Sequence, residues 1–217
     1  MTRIAFVGDV HGSLRPLRRI LDELSSRNID HTVFLGDYLN RGSESAHVLE
    51  HLIAVSESGS VTLLRGNHES AFLEAIESND LKPFLKMGGA AAIRSYVGGN
   101  VGPDVAADLK SHVPLKHIEI LQRMPVLFQT DDVVASHKPL ASNDSRYRVS
   151  AHIPVGSVPI IQSNSAHIDT GCGTESGRLT ALFWPSLSYI QVDANGELLR
   201  DLDTLPRGFR PLCFRVI

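Results

Sequence analysis

Three short apolar runs near the start of the chain each stop at a glycine, and this repetition constrains the fold more than any other feature. Ile4 to Val7 enters Gly8-Asp9-Val10-His11-Gly12, and Thr32 to Leu35 enters Gly36-Asp37-Tyr38-Leu39-Asn40-Arg41-Gly42. The third run ends in Leu63-Leu64-Arg65-Gly66-Asn67-His68-Glu69. Short apolar runs bounded by glycine read as buried strands. In open α/β sheets, sites gather at the carboxyl ends of such strands. The three loops are therefore expected to converge and to present carboxylate, imidazole and amide groups at one place.

The segments between the runs read as helices. Ser13 is placed to cap one whose Leu14, Leu17, Ile20, Leu21 and Leu24 share a face. Ser43 or Ser45 is placed to cap the next, with Val48, Leu49, Leu52 and Ile53 inward, and a third runs from about Ser70 to Glu77. Strand and helix alternation of this kind predicts a parallel sheet. From Asp80 to Arg123 the pattern breaks at Pro83, Gly88-Gly89, Gly98-Gly99 and Gly102-Pro103, which predicts a short-helix insertion at about 80–123 within a single domain, 1–217. The rest is strand-rich: Val126–Gln129 with Val133–Ser136 as a hairpin, then Tyr147–Ala151, His167–Asp169 and Leu179–Phe183. Tyr189–Val192 joins Glu197–Leu199 through Asn195-Gly196, a hairpin signal, and Leu212–Val216 is a candidate edge strand. The predicted architecture is α/β, two mixed sheets packed face to face with helices outside.

Composition bears on partners and compartment. The net charge of -3 gives no basic footprint for sequence-independent nucleic-acid binding, although bound cations can still supply a field for phosphate. Two cysteines, Cys172 and Cys213, make no disulfide framework and point to a reducing compartment. The apolar run at Ile4 is too short for a signal peptide and no run reaches the length of a membrane span, so the expected setting is cytoplasmic.

Asp9 and His11, in an Asp-x-His loop, are suited to bind one divalent ion; Asp37 is suited to bridge two, and Asn67 offers an amide oxygen. Mixed oxygen and imidazole donors favour manganese, iron or zinc over calcium or magnesium. Two such ions sharing a carboxylate form the clamp used in phosphoester hydrolysis. Arg41 and Arg65 lie within these loops, and a guanidinium can hold two phosphate oxygens at once. His68, beside Asn67, is placed to protonate a leaving oxygen. The second ion needs further histidines: His137 follows one strand, while His152 and His167 compete for the last position. His31, His47, His51, His112 and His117 read as solvated or core-edge residues.

Taken together, Asp9-Val10-His11-Gly12, Gly36-Asp37-Tyr38-Leu39-Asn40-Arg41-Gly42 and Arg65-Gly66-Asn67-His68-Glu69 resemble the calcineurin-type metallophosphoesterases. Within that family the likeness is to the phosphoprotein phosphatase branch, which includes bacterial serine/threonine phosphatases and diadenosine tetraphosphatases. Met87-Gly88-Gly89 with Ser95-Tyr96, and His167-Ile168-Asp169-Thr170-Gly171-Cys172 with Leu179-Thr180-Ala181-Leu182, extend it over most of the chain. The resemblance implies the family's four-layer fold, a two-sheet sandwich flanked by helices. It implies Asp9, His11 and Asp37 on the first metal and Asp37, Asn67, His137 and His152 on the second, and so decides for His152 over His167. It also implies phosphate binding by Arg41 and Arg65, with His68 as the acid. Manganese is the first expectation for the pair, with iron or zinc the others.

The expected activity is hydrolysis of phosphomonoesters by a water or hydroxide bridging the two ions, on a phosphoprotein or a small phosphorylated molecule. A dinucleoside polyphosphate hydrolase and a non-catalytic phosphate- or metal-binding relative are the alternatives. No membrane or nucleic-acid partner is expected. This chain departs from the resemblance in three places. Lys138-Pro139-Leu140 follows His137 where many members have small residues, and the link from His137 to His152 is short, leaving Arg146 or Arg148 as the nearby cations. Asn40 stands where the family usually has aspartate, so no carboxylate charge supports His68 as an acid. Asn40→Asp is accordingly expected to change the acidic limb of the pH–rate profile; identical profiles for the two proteins would refute that role.

Overall fold

The computed structural model describes residues 2–99, 101–141 and 145–202. The pleat of β1 (Ile4–Val7) sets its layers. Ala5 and Val7 enter a core shared with helices, while Ile4 and Phe6 enter a second core between two sheets. β1 pairs in parallel with β2 (His31–Phe34), and β2 with β3 (Val61–Leu63), as the strand–helix alternation implies. The other side of β1 takes β9 (Arg178–Trp184) antiparallel, followed by β10 (Tyr189–Asp193) and β11 (Leu198–Leu202). This makes a six-stranded mixed sheet. The turn from β10 to β11 carries Asn195-Gly196 as expected, closed by the Asp193 amide donating to the Glu197 carbonyl.

A five-stranded mixed sheet packs against it, built from β4 (Leu127–Gln129), β5 (Val133–Ser136), β6 (Tyr147–Ser150), β8 (Ser165–His167) and β7 (Ile160–Ile161). Here β5, β6 and β8 are parallel, while β4 and β7 add antiparallel edges. β7 is too short to leave a periodic signal in the sequence. Phe6, Val33, Leu35, Leu64 and Leu182 meet Val133, Val149, Ala166 and Ile168 between the sheets. At about 25 cal/mol per Å2 of apolar surface removed from water, this layer and its helical counterpart supply the main driving force for the fold.

Helices flank the sandwich. α1 (Leu14–Ser25) buries Leu14, Leu17, Ile20 and Leu24, and α2 (Ser45–Ser56) buries Val48, Leu49, Leu52 and Ile53, the faces the periodicity marks. Ser13 precedes α1 without capping it, because its hydroxyl donates to the His11 carbonyl instead. α2 likewise has no side-chain cap; Ser45 Oγ accepts the Asn40 amide at 3.0 Å. α3 (Asn67–Ser78) begins three residues before the expected Ser70, because Glu69 reaches back to the Gly66 amide at 2.9 Å and starts the helix at the glycine. Four short helices follow: α4 (Lys82–Lys86), α5 (Gly89–Val97), α6 (Val105–His112) and α7 (Leu115–Arg123). His117 is buried rather than solvated, since its ring nitrogens meet Tyr96 Oη at 3.0 Å and Glu50 Oε2 at 2.7 Å. No described helix is long and apolar enough to cross a membrane. The segment Leu212–Val216 lies outside the described residues.

The two sheets are joined at the rim that matters for function. His137, directly after β5, donates from Nδ1 to the carbonyl of Leu35, directly after β2, at 3.0 Å. Gly36 makes that approach possible. Its φ is +107°, and an added Cβ would stand 2.7 Å from the Gly66 nitrogen and 3.1 Å from His137 Nδ1. Gly59 also has positive φ, at +77°, but an added Cβ there meets nothing within 4 Å. Gly36→Ala should therefore cost about 3 kcal/mol of unfolding free energy and Gly59→Ala only about 1, read from denaturant midpoints. Equal losses would show that the rim is not closely packed.

Candidate metal centre

Backbone strain marks the site before any side-chain chemistry is considered. Seven non-glycine residues among those described have positive φ, and five of them are His11, Asp37, Asn40, Arg41 and His152. Each costs on the order of 1 kcal/mol or more, and persists only where surrounding contacts dictate it. Those contacts are visible. The Asp37 carbonyl accepts from the amides of Val10 (3.1 Å) and His11 (2.9 Å), and the Tyr38 carbonyl accepts from Gly12 (2.7 Å). Tyr38 Oη, fully buried, donates to the Leu64 carbonyl at 2.7 Å. The first two loops are thus laced together and tied to the strand that feeds the third.

The side chains these loops present are mostly acceptors. His137 has committed its Nδ1–H to Leu35, and in that tautomer Nε2 turns a lone pair inward. That nitrogen stands 2.7 Å from Asn67 Oδ1, 3.0 Å from His152 Nδ1 and 3.3 Å from Asp37 Oδ2. At most one ring hydrogen, on His152 Nδ1, is available to the four atoms. Beside them, His11 donates from Nδ1 to the Leu39 carbonyl at 3.0 Å, leaving Nε2 as a second inward lone pair. It lies 3.7 Å from Asp9 Oδ2 and 4.0 Å from Asp37 Oδ2. His11 Nε2 and both carboxylate oxygens of Asp9 are buried with no hydrogen-bond partner among the described residues. Buried acceptors left without donors are costly, and a cation is the species that satisfies several at once. The donor set fits a pair of divalent ions.

The electrostatics agree. Burial pushes the His11 imidazole down to about 3, reinforced by Arg41 and opposed by Asp37. Burial likewise lowers His68 and His152, which favours their neutral rings. Burial works against ionisation of Asp37, yet the imidazoles of His137, His68 and His11 around it hold it below the usual carboxylate range. Asp9 is pushed well above that range by burial, then by the charges of Asp37 and Asp169. A carboxyl held up by neighbouring anions and its own desolvation is one that a cation would return to the ionised form.

Among the described residues, two triads have ligand atoms within 4.8 Å of one another: His11, Asp37 and His68, and Asp37, His137 and His152. Asp37 belongs to both, the geometry a bridging carboxylate requires. His68 differs from the other histidines. Its Nδ1 lies 2.6 Å from Asn40 Nδ2, which also donates to the Met87 carbonyl at 3.4 Å. A carbonyl accepts only from N–H, so Met87 sets the amide's orientation, and Asn40 offers His68 a donor where the sequence allows an accepting oxygen. His68 Nε2 therefore carries the hydrogen, 3.7 Å from Asp37 Oδ2, as a donor aimed into the site.

Arg41 is exposed, with its charge felt by both His11 and His68. Arg65 is half-buried, its amide donating to the Pro125 carbonyl at 2.8 Å. His167 stands outside both triads, its Nδ1 2.8 Å from Ser150 Oγ. Arg146 is engaged by Gln129 Oε1 and the Thr130 carbonyl, both at 3.2 Å. Lys138 is exposed and its charge reaches His152. Two buried carboxylates at the site were not foreseen. Asp169 accepts the Gly171 amide through Oδ1 at 2.9 Å, while Oδ2 has no partner among the described residues. Glu69 accepts the amides of Asp37, Tyr38, Leu39 and Gly66. Burial and Asp37 push Glu69 up to about 7, while the Tyr38 and Asp37 amides pull it back. The spacing Gly66-x-x-Glu69 at a strand-to-helix junction signals only the bond to the Gly66 amide; the other three amides reach Glu69 by tertiary contact.

Comparison with known proteins adds identity to this geometry. Serine/threonine-protein phosphatase 2 of Escherichia coli is 39% identical over 84 residues, 38% of this chain and 37% of that protein. Serine/threonine-protein phosphatase BSL2 of Arabidopsis thaliana is 36% identical over 94 residues, 39% of this chain and 9% of that protein. The chain thus spans well under half the length of these curated relatives. Among solved structures, one provisionally assigned as a diadenosine tetraphosphatase superposes with a TM-score of 0.64 at 19% identity, covering 88% of this chain and 93% of that one. A cold-active protein-tyrosine phosphatase from Shewanella gives 0.59 at 17% identity, covering 92% and 81%. These likenesses speak for the fold alone. The model of the calcineurin-like phosphoesterases matches residues 2–167, well over half of the chain, and with that match the chain belongs to the calcineurin-like phosphoesterase family.

Proposed function

We propose that the chain is a di-metal-dependent phosphomonoesterase of the serine/threonine phosphoprotein phosphatase type, working as a single domain that includes the helices at about 80–123. The observation that carries the reading is the cluster of inward acceptors around His137 Nε2, with Asn67 Oδ1 at 2.7 Å and Asp37 Oδ2 at 3.3 Å. Asp9, His11 and Asp37 would hold one ion; Asp37, Asn67, His137 and His152 would hold the other. When bound, such a pair acidifies water and neutralises phosphoryl oxygens. The protein's share is positional. Arg41 supplies charge beside His11 and His68, suited to phosphate oxygens, and Arg65 is proposed to join it. His68 offers an Nε2–H fixed by Asn40 for the departing oxygen.

Local identity to serine/threonine phosphatases supports the phosphoprotein reading. The fold-level likeness to a provisional diadenosine tetraphosphatase favours dinucleoside polyphosphates as the second candidate substrate. Manganese suits the oxygen and imidazole donors. With only two cysteines in the sequence, a reducing cytoplasmic setting is proposed.

The test is steady-state hydrolysis of an aryl phosphate with manganese, followed by phosphopeptides and dinucleoside polyphosphates. Chelation should abolish turnover and manganese should restore it. Asp37→Asn should lower kcat/KM roughly a hundredfold or more, the loss of several kcal/mol of charge stabilisation. Full activity in Asp37→Asn would remove the bridging assignment. Absence of turnover in any metal, on every substrate, would favour the phosphate-binding relative instead.

A further inference from the structure

Glu69 is fully buried, and its carboxylate faces backbone rather than the metal-facing side of the loops. Oε1 accepts from Tyr38 N at 2.8 Å and Leu39 N at 3.3 Å; Oε2 accepts from Asp37 N at 2.8 Å and Gly66 N at 2.9 Å. Three successive amides can converge on one anion only where the backbone is concave, and the left-handed Asp37, φ +53°, follows Gly36 to make that concavity. The protein fills the nest with its own carboxylate. Gly66 is required beneath it, since a Cβ there would collide with Asp37 Oδ1 and the Asp37 nitrogen.

The held segment is the one that aims the candidate ligands. With its amide fixed on Glu69, Asp37 accepts the His68 amide through Oδ1 at 3.1 Å and turns Oδ2 toward His137, His68 and His11. The Asp37 carbonyl holds the amides of Val10 and His11, and the Leu39 carbonyl holds His11 Nδ1 at 3.0 Å. The fourth amide, on Gly66, directly precedes Asn67. One carboxylate therefore stands behind ligands drawn from all three loops.

We infer that Glu69 is a positioning residue for the metal pair, whose side chain fixes the bridging Asp37, with His11 and Asn67, by accepting four backbone amides from two loops. The inference rests on the proposed di-metal reading. A purely structural carboxylate would lower the melting temperature on substitution and leave metal affinity unchanged in the folded protein. A positioning residue would loosen the metals while the fold persists. Glu69→Gln keeps the shape but sets an amide NH2 against two backbone N–H groups. Glu69→Asp keeps the charge but withdraws it by about one bond length, roughly 1.5 Å.

Manganese affinity is measured on the wild-type chain, Glu69→Gln and Glu69→Asp, each shown folded by circular dichroism well below its melting temperature. Kinetics on an aryl phosphate are run in parallel. The expected result for Glu69→Gln is manganese binding weakened tenfold or more, with kcat reduced at saturating metal and KM for the aryl phosphate within about threefold, the size of effect seen when groups behind metal ligands are altered. Glu69→Asp should fall between the two, and it decides the matter if Glu69→Gln does not fold. Wild-type manganese affinity and kcat in either folded variant, whatever the fall in melting temperature, would overturn the inference while leaving the proposed function standing. A wild-type protein that binds no manganese would overturn both.

Discussion

The structure turns on a shortage of hydrogens. Around His137 Nε2 lie an amide oxygen at 2.7 Å and a carboxylate oxygen at 3.3 Å, and the imidazole has already given its only neutral N–H to Leu35. A few ångströms away, His11 Nε2 and the Asp9 carboxylate repeat the situation with no donor among the described residues. A folded protein seldom buries acceptors against one another, because each loses its water partners and gains nothing. Here Asp9, His11, Asp37 and His137 do so together, with half-buried Asn67 and His152 beside them, which makes positive charge the missing component and phosphate chemistry the natural use of it.

Much of the architecture serves to impose that unfavourable arrangement. The parallel strands of both sheets end at one rim, and the His137–Leu35 bond fastens the sheets there. Left-handed backbone at His11, Asp37, Asn40, Arg41 and His152 turns side chains inward at a local cost that packing beneath must offset. That packing is ordinary: aliphatic and aromatic side chains interdigitate on both faces of β1, so the loops hang from a rigid frame. Glu69, Tyr38 and Gly66 then satisfy the backbone of loops that have no regular secondary structure to do it for them.

The sequence pointed to the residues that the proposed metal site would use, and much less to the groups behind them. Asp9, His11, Asp37 and Asn67 were legible because each follows a strand that breaks at glycine, and His137 and His152 because they follow later strands. The choice of His152 over His167 needed the family resemblance, and it agrees with where the ring nitrogens fall. Glu69 was not legible in its role, because a glutamate in the first turn of a helix is also an ordinary solvent-facing residue, and only tertiary contact shows what it accepts. The polarity of Asn40 depended on the Met87 carbonyl, forty-seven positions away along the chain. For His117 the sequence left solvated and core-edge positions open, and its partners Tyr96 and Glu50, from other helices, place it at the core edge. Periodicity reports which face of an element is apolar, not which distant polar group meets it.

The most direct measurement of the central claim is anomalous diffraction from crystals grown with manganese. Two manganese peaks per chain are expected within coordination distance of Asp37, one also touching Asp9 and His11 and the other Asn67, His137 and His152. A map with no peak at these residues, or with peaks only elsewhere on the molecule, would contradict it.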